Sequence, residues 1–143
     1  MTATARDMPV WECYELLRNH GVGRLCLIDG GHPVAVPINY RVLDSETQPR
    51  LVVRTLATSM VGRYRGPCAL EVDDIDLTRE RAWSVIARGA AGPVLGDHGL
   101  PDPQPLVVGN RERWIIVTVA GISGRRFVVA GTADGCSVDW QLA

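Results

Sequence analysis

The residues with the clearest chemical potential stand at the ends of apolar, strand-like runs. Asn39 interrupts an alternating apolar segment and is followed by Tyr40. An amide offers both a donor and an acceptor, which suits a heterocycle carrying carbonyl and N–H groups. Arg54 and Thr55 close another apolar run, and Thr58 and Ser59 follow shortly after. A guanidinium fork, hydroxyls and the backbone N–H groups of a strand-to-helix junction all favour an anion. Trp83 and Ser84 open a third run, and the indole supplies a flat apolar wall. Together these residues describe a site for a planar, phosphorylated ligand. Each has a plainer role as well. Asn39 can bond a nearby loop, Arg54 can be a solvated charge, Thr58 and Ser59 can cap a helix, and Trp83 can anchor a core.

Other chemistries lack their signatures. The sequence has no G-x-S-x-G, no H-E-x-x-H, no Walker loop and no G-x-G-x-x-G. His20, His32 and His98 fall at turns or in a loop, where solvent-facing roles are expected. Cys13, Cys26, Cys68 and Cys136 are widely spaced, with no C-x-x-C and no zinc spacing, so no metal site is expected. Free thiols and the lack of a signal-peptide pattern point to the cytoplasm.

The elements that must position these groups follow from periodicity. Val10, Cys13, Tyr14 and Leu17 form one stripe of an N-terminal helix, with Pro9 near its start and Gly21 past its end. Strands are then predicted at 23–29, 32–43, 50–55, 67–73, 82–94 and 114–122, the last continuing through 125–129 after a bend at Gly124. Gly30-Gly31 suits a tight hairpin. Pro37 cannot donate to a ladder and marks an edge or a bulge. One or two helical turns fit 57–64, a solvated acidic turn fits Asp73, Asp74 and Asp76, and 96–113 reads as irregular. Many strands with no alternating helices exclude a doubly wound parallel sheet and favour a small closed barrel.

With 143 residues, 46% of them hydrophobic, the chain fits one domain, its core at about 8–129 and a tail at 130–143. Fifteen basic residues, all arginine, oppose sixteen acidic ones, so the basic surplus of a nucleic-acid binder is absent. The longest apolar stretch, 114–122, is too short for a membrane-spanning helix.

The segments VAVPINY (Val34 to Tyr40), LVVRTLATSM (Leu51 to Met60), CALEVDD (Cys68 to Asp74) and AWSVIARG (Ala82 to Gly89) occur in that order. The helical segment WECYELLRNHGVGRLCL precedes them and ISGRR follows. The whole resembles the pyridoxamine 5'-phosphate oxidase-like flavin-binding split barrels, especially their small actinobacterial branch, over about residues 8–128. The resemblance implies a mainly β fold: a six-stranded antiparallel split barrel with an N-terminal helix and short accessory helices. It further implies a homodimer with FMN, or alternatively the deazaflavin F420, at the subunit interface.

By that resemblance Pro37, Ile38 and Asn39 face the flavin ring. Arg54, Thr55, Ser59 and position 60 surround the phosphate, and Trp83 and Ser84 complete the site, from the second subunit in one arrangement. Relatives commonly carry Lys where this chain has Met60, which removes a charge-assisted hydrogen bond of roughly 1.5–3 kcal/mol. Arg63, or Arg125 or Arg126, is then the available replacement. The implied activity is hydride transfer between the cofactor and a small organic substrate, with no catalytic proton donor identifiable beyond Tyr40, for which packing is the simpler role. The alternative is a non-catalytic protein that binds or senses a flavin, F420 or haem. No arginine-rich C-terminal motif of the vitamin B6 oxidases is present.

Overall fold

The computed structural model describes residues 3–44, 48–96, 98–104 and 112–129. Eight strands and two helices follow one another as β1 (Ala3–Asp7), α1 (Val10–Asn19), β2 (Val22–Asp29), β3 (His32–Asn39), β4 (Arg41–Leu43), β5 (Arg50–Thr55), α2 (Met60–Arg63), β6 (Gly66–Asp76), β7 (Arg81–Pro93) and β8 (Arg113–Val129). The sheet order is β3-β2-β6-β7-β8-β5-β4, with β1 added to the far end of β8, and every pairing is antiparallel.

The two ends of that order, β3 and β4, are consecutive in the chain and separated only by Tyr40. One bent strand therefore forms both rims of the sheet and closes it into a barrel. Tyr40 makes the bend. Its N–H bonds the carbonyl of Gly21, its ring is buried, and its hydroxyl donates to the Leu17 carbonyl at 2.7 Å. The single strand expected over 32–43 is thus two strands. The short β1, which has no apolar alternation to announce it, brings the total from the six expected to eight.

Alternation along the strands fills the interior. Leu25 and Leu27 from β2, Leu51 and Val53 from β5, Leu70 and Val72 from β6, Val85 and Ala87 from β7, and Ile115 and Val117 from β8 are all buried. Each large aliphatic side chain so buried contributes about 1.5–3 kcal/mol. Helix α1 lies on β8, β7 and β4 and inserts Cys13 and Leu17, both fully buried. Val10, expected on that buried stripe, is 56% exposed, like its neighbour Trp11.

The β2–β3 hairpin turns at Gly30 and Gly31, both with positive φ (57° and 80°), the condition that makes two glycines suitable there. β3 is a terminal strand of the sheet order, consistent with its two prolines. The acidic stretch expected as a turn is instead the end of β6, paired with β7 as far as Asp76 opposite Arg81. The β7–β8 ladder changes register where Arg88 pairs with Gly121 and Gly89 with Val119, leaving Ala120 as the extra residue. The bend in β8 is therefore at Ala120. Gly124 stays in register opposite Val85 and makes room for Met8 and Cys13. Among the described residues no helix is long and apolar enough to cross a membrane.

Candidate functional site

At the end of β5 the chain turns sharply into α2. Consecutive strand residues face opposite sides, so Thr55 points inward, where it is buried, and Arg54 points outward. The Thr55 and Ser59 hydroxyl oxygens are 2.8 Å apart. Ser59 also donates to the Leu56 carbonyl at 2.7 Å and accepts from the Gly62 N–H at 3.0 Å. A hydroxyl has one donor and two acceptor positions. These bonds are mutually consistent only if Thr55 donates to Ser59, and Ser59 is then saturated. The pair therefore builds the turn and caps α2. Thr58 is exposed. Met60 packs against the core, and Arg63 is exposed with its Nε donating to the Ser59 carbonyl at 3.4 Å.

Arg54 is different. Its guanidinium lies over the Trp114 ring, 5.1 Å from the centroid, and its Nη1 holds the Asp102 carboxylate at 2.7 Å. The Asp102 carboxyl is kept below its ordinary range by the Gln104 N–H first, then by the Arg54 hydrogen bond and the charges of Arg54 and Arg41. An oxygen anion is thus already held at this point of the surface. Arg41, Asp102 and Trp114 were missed in the sequence. Trp114 reads there only as a strand start, and Asp102 lies in the irregular stretch.

The β3 end approaches the same region. β4 pairs with β5 through Arg41 opposite Val52, and β3 touches β5 just beyond it. Running that register on by two residues brings Asn39 toward Arg54. The Asn39 side-chain amide donates to the Gly21 carbonyl at 3.5 Å, Ile38 packs against the core, and Pro37 is exposed. Pro37 borders a groove of about 550 Å³ shared with His20, Gly21, Arg24 and Asp73.

Trp83 and Ser84 stand at the opposite end of the long ladder. From Trp83, β7 runs on to Pro93, where it ends, and the next residue, Val94, bonds the Trp114 carbonyl beside Arg54. That is about 35 Å of strand at roughly 3.3 Å per residue. Trp83 is largely buried against His20, edge to face at 4.7 Å, and Ser84 pairs with Asp73 and Arg125. Arg125 and Arg126 share this end. Arg126 is bound by Glu12 at 2.6 Å, and Arg125 faces Asp7 at 3.4 Å. Glu12, also held by Arg6, is kept below the ordinary carboxylate range, chiefly by its hydrogen bond from Arg126. One chain therefore sets Arg54 and Trp83 at opposite ends of β7, while Asn39, bonded to Gly21 beside the His20 that lies on Trp83, is near the Trp83 end as well.

Between Pro37 and Ser84 on the outer face sits a charged trio. Arg24, paired with Pro37 across β2–β3, holds both Glu71 and Asp73 at 3.0 Å. One guanidinium does not neutralise two carboxylates. Burial first, then the Asp73 hydrogen bond and charge, push Glu71 up to about 7 against the pull of Arg24. A second groove, about 730 Å³ and mainly apolar, crosses the outside of β2, β6, β7 and β8 near Cys26, Cys68 and Ala90. Cys13, Cys26 and Cys68 are free, and Cys136 lies outside the described residues. Burial pushes the Cys68 thiol up to about 11, so it is a poor nucleophile. His20 and His98, expected to face solvent, each lie against a tryptophan, while His32 is exposed at its turn. Among the described residues no group of three or more His, Cys, Asp or Glu could hold a metal ion.

This closed antiparallel barrel is a pyridoxamine 5'-phosphate oxidase-like split barrel. The chain belongs to the pyridoxamine 5'-phosphate oxidase family, whose model matches residues 9–126. Among solved structures it is similar to an FAD binding protein from Mycobacterium smegmatis, with 25% identity over 87% of this chain and 99% of that one and a TM-score of 0.67. It is similar in the same degree to a protein of unknown function from Corynebacterium diphtheriae, with 25% identity over 87% and 98% of the two chains and a TM-score of 0.66. A third, an FAD-binding protein from Mesorhizobium loti, shares the fold at 19% identity over 90% and 100% of the two chains, TM-score 0.66. No curated protein matches the sequence.

Proposed function

We propose that this chain binds a flavin nucleotide and serves as an oxidoreductase, with the nucleotide's phosphate on Arg54 and its ring toward Pro37, Ile38 and Asn39. The observation that carries the reading is the Arg54 guanidinium, braced on Trp114 and holding an anionic oxygen at 2.7 Å. A phosphate oxygen fits the same fork. FMN is the first expectation. FAD, which the neighbours from M. smegmatis and M. loti are named for binding, carries the same ring, ribityl chain and first phosphate. F420 shares a flat ring and a phosphate, and is the alternative cofactor.

A bound flavin supplies hydride transfer to or from a small organic substrate. The chain's own part is to bind and orient. Arg54 and Arg41 supply positive charge, Asn39 offers an amide to ring carbonyl and N–H groups, and the exposed Pro37 offers an apolar surface that carries no N–H. In this reading two copies assemble into a homodimer. The partner's Trp83–Ser84 end is brought to Arg54, from which a single chain separates it by the length of β7. The apolar outer groove near Cys26 and Ala90 offers surface for that contact.

A second reading, a flavin, F420 or haem binder without catalysis, is favoured by one observation. Tyr40, the proton donor that the sequence allows, is buried, its hydroxyl is spent on Leu17, and burial drives its pKa far above the ordinary tyrosine value. The absorption spectrum of the purified protein tests both. A flavin spectrum that bleaches with a nicotinamide donor and recovers with an acceptor supports the oxidoreductase. A flavin spectrum indifferent to both supports the binder. Colourless protein that takes up neither FMN, FAD nor F420 overturns the proposal.

A further inference from the structure

Arg54 is not waiting for an anion; it has one of its own. Asp102 belongs to the segment 98–104, which lies against the outer side of β5 and β8 through two side-chain attachments. The His98 ring rests on Trp114, with centroids 4.4 Å apart, on the same indole that carries Arg54. The Asp102 Oδ2 receives Arg54 at 2.7 Å. Pro103, next in the chain, is buried although it belongs to no strand or helix. On β5 itself, Val52 shares the outward side with Arg54 by alternation, yet it is fully buried, so that side is covered.

The segment is also shaped to present its carboxylate. Asp102 Oδ1 accepts the Gln104 N–H at 2.9 Å, and Gln104 sits at a φ of 51°, a left-handed conformation that a non-glycine residue adopts at a cost. The His98 Nδ1 accepts the Leu100 N–H at 3.0 Å, folding the preceding turn. Such strain persists only where surrounding contacts hold it, and the Arg54–Asp102 pair is a charged one among them.

We infer that Asp102 is a built-in occupant of the Arg54 anion site, and that a phosphate-bearing ligand enters by displacing Asp102 together with the 98–104 strap. This rests on the reading of Arg54 as the phosphate contact and extends it to how the site is gated. A phosphate group brings more charge than a carboxylate and competes for the same guanidinium. When it wins, the Asp102 carboxylate is left beside a like charge, so the strap swings off and uncovers Trp114. Ligand binding and strap release are then one equilibrium, and weakening the internal ion pair favours the ligand.

The test uses the full chain, its Asp102→Asn variant and an Asp29→Asn control that removes an exposed charge from the distant β2–β3 hairpin. Inorganic pyrophosphate is titrated by calorimetry, and amide exchange across 98–104 is followed by mass spectrometry with and without it. The expectation is binding about tenfold tighter to Asp102→Asn than to wild type or the control. Wild type should also lose protection at 98–104 as pyrophosphate binds. Equal affinity in the three proteins, or protection at 98–104 that does not change on binding, overturns the gate. A parallel FMN titration tests the cofactor reading separately. If pyrophosphate responds as expected and FMN binds to none of the proteins, the gate stands and the flavin assignment falls.

Discussion

A guanidinium shared by two carboxylates sets the acid–base behaviour of the outer face. Arg24 serves both Glu71 and Asp73, and Glu71 is raised from 4.5 to about 7. A carboxyl raised on folding favours the folded state while it stays protonated, and that contribution is lost as pH climbs through the folded value. Stability should therefore fall between about pH 4.5 and 7. Glu71→Gln should flatten that part of the profile, as urea midpoints across the range will show; an unchanged slope would mean the carboxyl titrates normally. Tyr40 makes the opposite kind of bond, neutral and buried. Among the described residues, Tyr40→Phe leaves the Leu17 carbonyl with the long 3.4 Å bond from His20. It should cost about 1–2 kcal/mol of unfolding free energy by denaturant titration. Residue identity alone gave little warning of either. Tyr40 reads as one more apolar position in an alternating strand, and the sharing of Arg24 exists only once β2 and β6 are in register.

At the scale of elements, the turn from β5 into α2 depends on one close approach. A Cβ on Gly62 would sit 2.1 Å from the Leu56 carbonyl oxygen, the acceptor that fixes Ser59. Gly62→Ala should therefore displace the turn and lower stability by about 2 kcal/mol or more, measured by thermal unfolding. If Arg54 is the phosphate contact, its anion affinity should fall as well, since β5 ends in that turn. Most elements were legible because their apolar period is strong. Strands 22–29 and 50–55 and helix 10–19 lie within a residue or so of where the alternation puts them. The exceptions have physical causes. β6 carries its acidic residues onward because it stays paired with β7 as far as Asp76: Asp73 falls on the outer side with Glu71, and Asp74, on the side of Leu70 and Val72, is already exposed past the core. β1 has no pattern of its own and is ordered by β8. The strap at 98–104 is held by side-chain contacts that no periodicity encodes.

The whole molecule is a barrel whose family is legible in the order of its sequence segments, while the arrangement of the candidate site is only half legible there. Arg54 and Asn39 approach each other, but the alternation that sends Thr55 inward and the length of β7 that separates Trp83 from Arg54 are properties of the assembled sheet. If two copies share a cofactor, native mass spectrometry of freshly purified protein should give twice the chain mass plus a flavin, and denaturation should release both. A monomer mass with flavin retained would show that one copy suffices. The rim strand β3 has a further consequence. Pro33 and Pro37 lie four residues apart on it, so their missing N–H groups fall on the same side. A foreign strand seeking to lengthen the sheet there finds every second donor gone along that stretch. Crowded solutions of this protein should accordingly resist seeded fibril growth through β3.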